Sequence, residues 1–186
     1  MLHRVPSIAL DLLTLTAAVA AAGFASGGWF VVGGVFALFP LALLAAEDRV
    51  GTERDVLGRF SGALVRVGAL AAVAIGMAVY AIRFEKESGA EFAGALALAG
   101  LLVVAYARVR SEASLGRKEG GGGPAWHALL LIEEFLMLAV MAITMVVGQC
   151  FWGLWTVAAL SGLAILVRLV LLRGMAAGQT ATSSGG

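Results

Sequence analysis

Charged residues are scarce in this chain. Asp, Glu, Lys and Arg together make up 13% of its 186 residues, whereas apolar residues make up 61%. A water-soluble domain of this size could not stay in solution with that balance, and the mean hydropathy of +0.96 agrees. The scarcity of charge therefore excludes a soluble fold and predicts an integral membrane protein.

Cysteine and the common catalytic patterns are also scarce. Cys150 is the single cysteine, which excludes an internal disulfide and any cysteine-based metal-ligand spacing. Four glycines at 120–123 lack a following Lys-Ser and a preceding strand, so their composition favours a linker over a phosphate-binding loop. The sequence contains no Ser-His-Asp set, no nucleophile elbow and no support for nucleic-acid binding.

The apolar residues fall into runs of roughly 15 to 23 residues, about the length that crosses a bilayer core as helix. Strand-like alternation is missing, and backbone amides in hydrocarbon must pair within their own segment, so the runs are predicted to be helices. The first run follows Arg4 and resembles a signal peptide, but five similar runs follow it, which favours a retained helix. The predicted spans are Ile8–Ala22, Trp29–Ala46, Phe60–Ile82, Phe92–Arg108, Trp126–Val147 and Phe151–Leu172.

These runs predict an all-α integral membrane fold with six transmembrane helices. Residues 1–175 form one domain, and residues 176–186, AAGQTATSSGG, are predicted to be a disordered tail. Lysine and arginine indicate the orientation: nine of them fall on the side that holds both termini, and two, Arg83 and Lys86, fall on the other. We therefore predict a multi-pass protein of the cytoplasmic membrane with both termini in the cytoplasm.

A charged connection, Leu41–Arg66, joins the second and third runs and carries a resemblance to a known family. Its Arg49 and Gly58 have the spacing of the arginine and second glycine in the signature D-x2-D-G-x2-A-R-x8-G-x3-D-x3-D. The stretch Tyr106–Gly116, YARVRSEASLG, is similar to the pattern S-Y-x-[KR]-A-R-A-E-x-x-G that ends the fourth helix of the same family. With its six short helices, the chain resembles the CDP-alcohol phosphatidyltransferases, which transfer a phosphatidyl group from a CDP-activated lipid to an alcohol. The likeness covers nearly the whole chain in topology but few residues in identity.

The chain departs from this family at the residues that bind metal. The signature's four aspartate positions fall on Leu41, Leu44, Gly62 and Arg66, its first glycine falls on Ala45 and its alanine on Asp48. A slip of one residue puts Ser61 and Val65 at the last two positions, and neither is a carboxylate. In the family these aspartates hold Mg²⁺ or Mn²⁺, and the last also acts as general base. Leucine cannot coordinate a metal ion, and Arg66 puts a fixed positive charge at a ligand position. The stretch PAWHALLL also stands where the family has a glutamate-arginine pair.

Three functions stay open on the sequence. The resemblance with its missing aspartates implies a non-catalytic protein of phospholipid biosynthesis without a metal cofactor, which binds membrane lipids as a homodimer or as a heterodimer with an active relative. The second possibility is an active phosphotransferase whose metal site is displaced onto Glu47, Asp48 and Asp55. The third is an unrelated small transporter or scaffold, for which internal repeats are expected and none is evident.

Charges within the spans are the remaining signal. Arg66, Glu133, Glu134 and Arg168 are all predicted at a similar depth from the cytoplasmic face. Because isolated charges in the bilayer cost several kcal/mol each, we expect Arg66 or Arg168 to pair with Glu133 or Glu134; the alternative for Arg168 is snorkelling to the interface. The candidate contacts for a phosphate or lipid headgroup are Arg49, Arg108, Arg110, Arg117 and Lys118, although a basic loop beside anionic lipids explains them equally well.

Overall fold

The computed structural model of the chain describes residues 7–50, 56–115 and 124–183. Within these ranges, side chains are described for residues 9–43, 64–107 and 133–170, and Gly62 is described as buried. Every regular element in the described ranges is helical, as the sequence predicts. The elements are α1 Ser7–Ser26, α2 Phe30–Val50, α3 Val56–Tyr80, a π-helical turn Ala81–Glu85, α4 Ala90–Leu115, α5 Pro124–Val147 and α6 Cys150–Ser183.

Four of the helices contain stretches that are long and apolar enough to cross a membrane, counted over the described residues. They are Ala9–Ser26, Leu64–Glu85, Ala90–Ala107 and Cys150–Val170. A shorter apolar stretch, Phe30–Leu43, lies in α2. Large apolar side chains are exposed along these stretches, as lipid-facing surfaces require. The chain is therefore a helical membrane protein.

The helices begin and end near the predicted bounds, with two extensions. α4 continues to Leu115, beyond the predicted end at Arg108, and α6 continues to Ser183, whereas the sequence predicts an unstructured segment from Ala176. Adding a residue to an existing helix is much easier than starting a new one, because each added residue gains a hydrogen bond without a nucleation cost. The alanines and Met175 at the end of α6 also favour continuation.

The six helices form a closed ring in the order α1, α2, α5, α6, α4 and α3. In addition, α3 contacts α5 and α6 across the ring. The contacts between α1 and α3 are among the most extensive. Gly76 on α3 makes this close approach possible, because a Cβ there would lie 2.5 Å from the Cα of Ala22. Gly68 lies beside Leu15 in the same way, about two turns earlier on both helices, so α1 and α3 run in the same direction. Such small-residue contacts are the usual way for helices to approach closely in lipid, where apolar burial gives little driving force.

Three short turns meet at one end of the ring, which we call the hairpin end. They join α1 to α2, the π-helical turn to α4, and α5 to α6. The last turn has only two residues between the helices, and its Gly148 adopts a φ of 75°, a left-handed conformation that glycine adopts without strain. The short, uncharged connections Gly23–Gly28 and Gly148–Cys150 predict tight hairpins at the first and last of these turns, and the structure has them.

Candidate functional site

Four charged residues lie inside the bundle, away from the hairpin end, and we call them the ion-pair layer: Arg66, Glu133, Glu134 and Arg168. α5 carries the two glutamates about 14 Å along its axis from Pro124. α3 carries Arg66 about 15 Å from its first residue. α6 carries Arg168 near the end of its apolar stretch, which closes at Val170. The four side chains thus come from three helices that are neighbours in the bundle.

Arg168 is the most deeply buried member of the ion-pair layer, with 5% of its surface exposed. Its Nη2 donates a hydrogen bond to Oε2 of Glu133, and its Nη1 donates to the backbone carbonyl of Val104 on α4 at 2.7 Å. The guanidinium therefore ties α6 to both α4 and α5. This geometry directs the arginine into the bundle and not outward to the interface.

Arg66 makes the looser of the two pairs. Its Nη1 lies 3.6 Å from Oε2 of Glu134, and its Nε donates to the carbonyl of Gly62 at 3.3 Å, one turn earlier on α3. The side chains of Arg66 and Glu134 keep 18% and 13% of their surface exposed. The distance exceeds that of a good charge-assisted hydrogen bond, so the attraction is mainly Coulombic.

Neighbouring glutamates on α5 serve two different helices. Successive residues of an α-helix point about 100° apart, so Glu133 reaches Arg168 on α6 while Glu134 reaches Arg66 on α3. Two carboxylates and two guanidiniums make these four residues neutral as a set. The layer therefore fixes α5 between α3 and α6 without leaving a net charge in the apolar part of the membrane.

A groove opens beside the Arg168–Glu133 pair, between α5 and α6. Its volume is about 200 Å³, and apart from the ion pair its walls are apolar. Its walls include Leu136 on α5 together with Leu160, Leu163, Ala164 and Val167 on α6. Leu136, Leu163 and Val167 are well exposed, so the groove opens sideways toward the lipid.

The structure describes only part of the signature that the resemblance uses. Leu41 is partly exposed on α2, Gly62 is buried on α3, and Arg66 pairs with Glu134. Among the residues whose side chains are described, no group of three His, Cys, Asp or Glu side chains is placed to hold a metal ion. An arginine paired with a glutamate does not fit a divalent cation at the signature's last position. The remaining candidates lie outside the described side chains: Leu44, Glu47, Asp48, Arg49, Asp55, Gly58, Arg108, Arg110, Arg117 and Lys118.

Sequence reasoning missed a second carboxylate site, at the hairpin end. The two carboxylate oxygens of Glu85 accept hydrogen bonds from the backbone amides of Cys150 at 2.6 Å and Phe151 at 2.9 Å. These amides open α6 and have no acceptor within their own helix, so Glu85 caps α6 from another part of the chain. Its partners lie about 65 residues away in sequence, and a glutamate at the end of an apolar run gives no sign of that contact.

Comparisons with protein families, with curated proteins and with solved structures find no match to this chain. The resemblance to CDP-alcohol phosphatidyltransferases therefore stays a hypothesis that rests on the residues quoted from the sequence. The described residues themselves establish a helical membrane protein with two ion pairs inside its bundle.

Proposed function

We propose that this chain is a multi-pass protein of the cytoplasmic membrane that resembles CDP-alcohol phosphatidyltransferases but does not carry out their metal-assisted transfer. In this proposal it serves phospholipid biosynthesis by binding lipid, as a homodimer or as a heterodimer with an active relative. The observation that carries the proposal is the pairing of Arg66 with Glu134 at 3.6 Å, because the resemblance places a metal-binding aspartate at position 66.

The chemistry of transfer explains why that pair matters. A divalent cation clamps the diphosphate of a CDP-activated lipid and screens the charge that develops as the bond breaks. A guanidinium stays protonated inside proteins and repels such a cation, and a carboxylate already engaged with it is a poorer ligand. Leu41, at the first aspartate position, offers no oxygen at all. An ion pair at this place holds α3 against α5 and leaves no metal-binding group at position 66.

The distribution of basic residues supports the proposed orientation. The turns of the hairpin end contain few basic residues, whereas most lysines and arginines belong to the opposite side. Positively charged connections stay in the cytoplasm, so the hairpin end would face outward and the ion-pair layer would lie toward the cytoplasm.

Transfer from labelled CDP-diacylglycerol to a panel of alcohols tests the proposal. The purified chain in lipid nanodiscs should show no turnover with Mg²⁺ or Mn²⁺, under conditions in which an active phosphatidyltransferase in the same nanodiscs turns over. Turnover that a chelator abolishes would contradict the proposal and favour the displaced site. In that case Asp48→Asn and Asp55→Asn should reduce it, while Glu87→Gln at the hairpin end should not.

A further inference from the structure

The groove between α5 and α6 has the position and the polarity of a lipid-binding site. Its apolar walls follow α6 from Leu160 to Val167, and the Arg168–Glu133 pair lies at one end. At 1.5 Å per residue, Leu160 lies about 12 Å from Arg168 along the helix axis. An apolar groove of that length with a polar end matches the shape and polarity of an acyl chain attached to an ester.

The depth of Arg168 in the membrane agrees with an acyl chain and its ester as the occupant of the groove. Arg168 lies about 27 Å along α6 from Cys150, and a bilayer core is roughly 30 Å thick. If α6 enters the core at Cys150, the guanidinium lies close to the other boundary of the core, where the glycerol esters of phospholipids are found. The groove then runs from this boundary toward the bilayer centre, parallel to the chains of the same leaflet.

The hydrogen bonding of Arg168 is incomplete among the described residues. Nη1 and Nη2 donate to Val104 and Glu133, whereas Nε is fully buried and has no acceptor in the described part of the chain, so an oxygen in the groove reaches it only if a neighbouring side chain shifts. A buried donor without an acceptor destabilises the protein. An oxygen that accepts from it therefore contributes the full free energy of a hydrogen bond. Because Glu133 already balances the charge of Arg168, a neutral carbonyl oxygen suits the position better than a second anion.

The volume of the groove is sufficient for part of one acyl chain. A protein cavity of about 150 Å³ holds a benzene molecule, and the groove has about 200 Å³. We propose that this groove binds one acyl chain of a glycerophospholipid and that a side-chain shift at its polar end lets Arg168 Nε donate a hydrogen bond to the ester carbonyl of that lipid. Lipid binding at this groove does not depend on whether the protein lacks transferase activity. The proposal for the groove and the proposal that transfer is absent can therefore be refuted independently.

Photocrosslinking in nanodiscs tests the site. The probe is a diacyl phosphatidylglycerol with a diazirine in one acyl chain, and the labelled peptides are mapped by mass spectrometry. We expect labelling concentrated on the α5 and α6 segments that contain Leu136 and Leu163. Ala164→Phe fills the groove and should reduce this labelling roughly fivefold, whereas Ala159→Phe, the same change on an exposed position of α6 outside the groove, should leave it unchanged. Equal labelling of both variants, or labels spread evenly over exposed helix surfaces, would overturn the proposal.

Competition with unlabelled lipids tests the hydrogen bond in the unaltered chain. A diester phosphatidylglycerol should compete roughly threefold to tenfold better than its diether analogue, since one hydrogen bond is worth about that factor. The preference should disappear in the double variant Glu133→Leu/Arg168→Met, which replaces the ion pair with apolar side chains of similar size. Equal competition by the diether, or stronger competition by a free fatty acid of equal chain length, would exclude the ester as the group that Arg168 recognises.

Discussion

The hairpin end and the ion-pair layer stabilise carboxylates in two different ways. At the hairpin end, Glu85 accepts hydrogen bonds from two backbone amides at the start of α6. In the ion-pair layer, Glu133 and Glu134 meet the side chains of Arg168 and Arg66. Free backbone amides are present at every helix start whatever the sequence. The cap at the hairpin end therefore needs only one suitable residue, the glutamate, whereas each pair in the ion-pair layer needs both a glutamate and an arginine.

The surroundings of the two regions differ as well. The hairpin end is packed by aromatic rings: Tyr80 stacks on Phe84 at 5.2 Å between centroids and also contacts Phe30 at 5.5 Å. The ion-pair layer borders the groove between α5 and α6. The hairpin end is thus held by ring packing and by the capping of α6, whereas the ion-pair layer is held by side-chain pairs beside an open groove. Substitutions in the two regions should therefore differ in their effects on the free energy of unfolding.

The largest effect is expected from Arg168→Ala. The change removes a buried guanidinium from both Glu133 and the Val104 carbonyl, and breaking a buried ion pair on one side typically costs about 3 kcal/mol. The free energy of unfolding in mixed micelles measures the loss. Arg83→Ala, which removes an exposed arginine at the hairpin end, should change it by less than about 0.5 kcal/mol.

Two paired variants separate the charge from the packing. Glu133→Leu/Arg168→Met should recover most of the lost stability, because well-packed apolar replacements of buried ion pairs are often neutral. The exchanged pair Glu133→Arg/Arg168→Glu should recover part of it, since the Val104 carbonyl loses its donor. If neither restores stability, the interaction between the two side chains is not what Arg168→Ala disrupts.

An intermediate effect is expected from Glu85→Ala. It leaves the amides of Cys150 and Phe151 without their carboxylate, and the loss of a helix cap costs about 1 to 2 kcal/mol. Glu85→Gln keeps one acceptor oxygen and should lose about half as much. Hydrogen exchange at these two amides measures the effect locally, and Glu87→Ala, an exposed glutamate at the same end, is the control. Unchanged exchange in Glu85→Ala would show that the carboxylate does not cap α6.

The hairpin end and the ion-pair layer also differ in how much of each the sequence predicts. Hydropathy predicts the helices, because a span must be continuous and apolar, and the depth of each charge in its span predicts which four residues form one layer. The assignment of Arg168 to Glu133 and of Arg66 to Glu134 depends on the rotation of α5, which the sequence does not specify. The capping of α6 by Glu85 and the groove between α5 and α6 arise from tertiary packing and have no local signal.

A smaller effect should distinguish the two pairs within the ion-pair layer. The Arg66–Glu134 pair has the longer distance, 3.6 Å, and keeps more of its arginine exposed, so solvent and salt weaken it. Double-mutant cycles to alanine measure the coupling free energy of each pair without counting their other contacts. We expect about 1 kcal/mol for Arg66–Glu134 and clearly more for Arg168–Glu133. A coupling that is equal in the two pairs would contradict the link between burial and strength.

The smallest effect, and one of opposite sign, is expected at Ser161 on α6. Ser161 is fully buried against Gly100 of α4, and its hydroxyl has no hydrogen-bond partner among the described residues. Ser161→Ala keeps the Cβ that packs on Gly100 and removes the unsatisfied hydroxyl, so it should raise the free energy of unfolding by about 0.5 to 1 kcal/mol. Ser26→Ala makes the same chemical change where the hydroxyl donates to the Gly23 carbonyl at 2.9 Å and should lower it by a few tenths. A loss of stability in Ser161→Ala would mean that this hydroxyl has a partner within the assembled membrane protein, which would make the contact between α4 and α6 a second polar site beside the ion-pair layer.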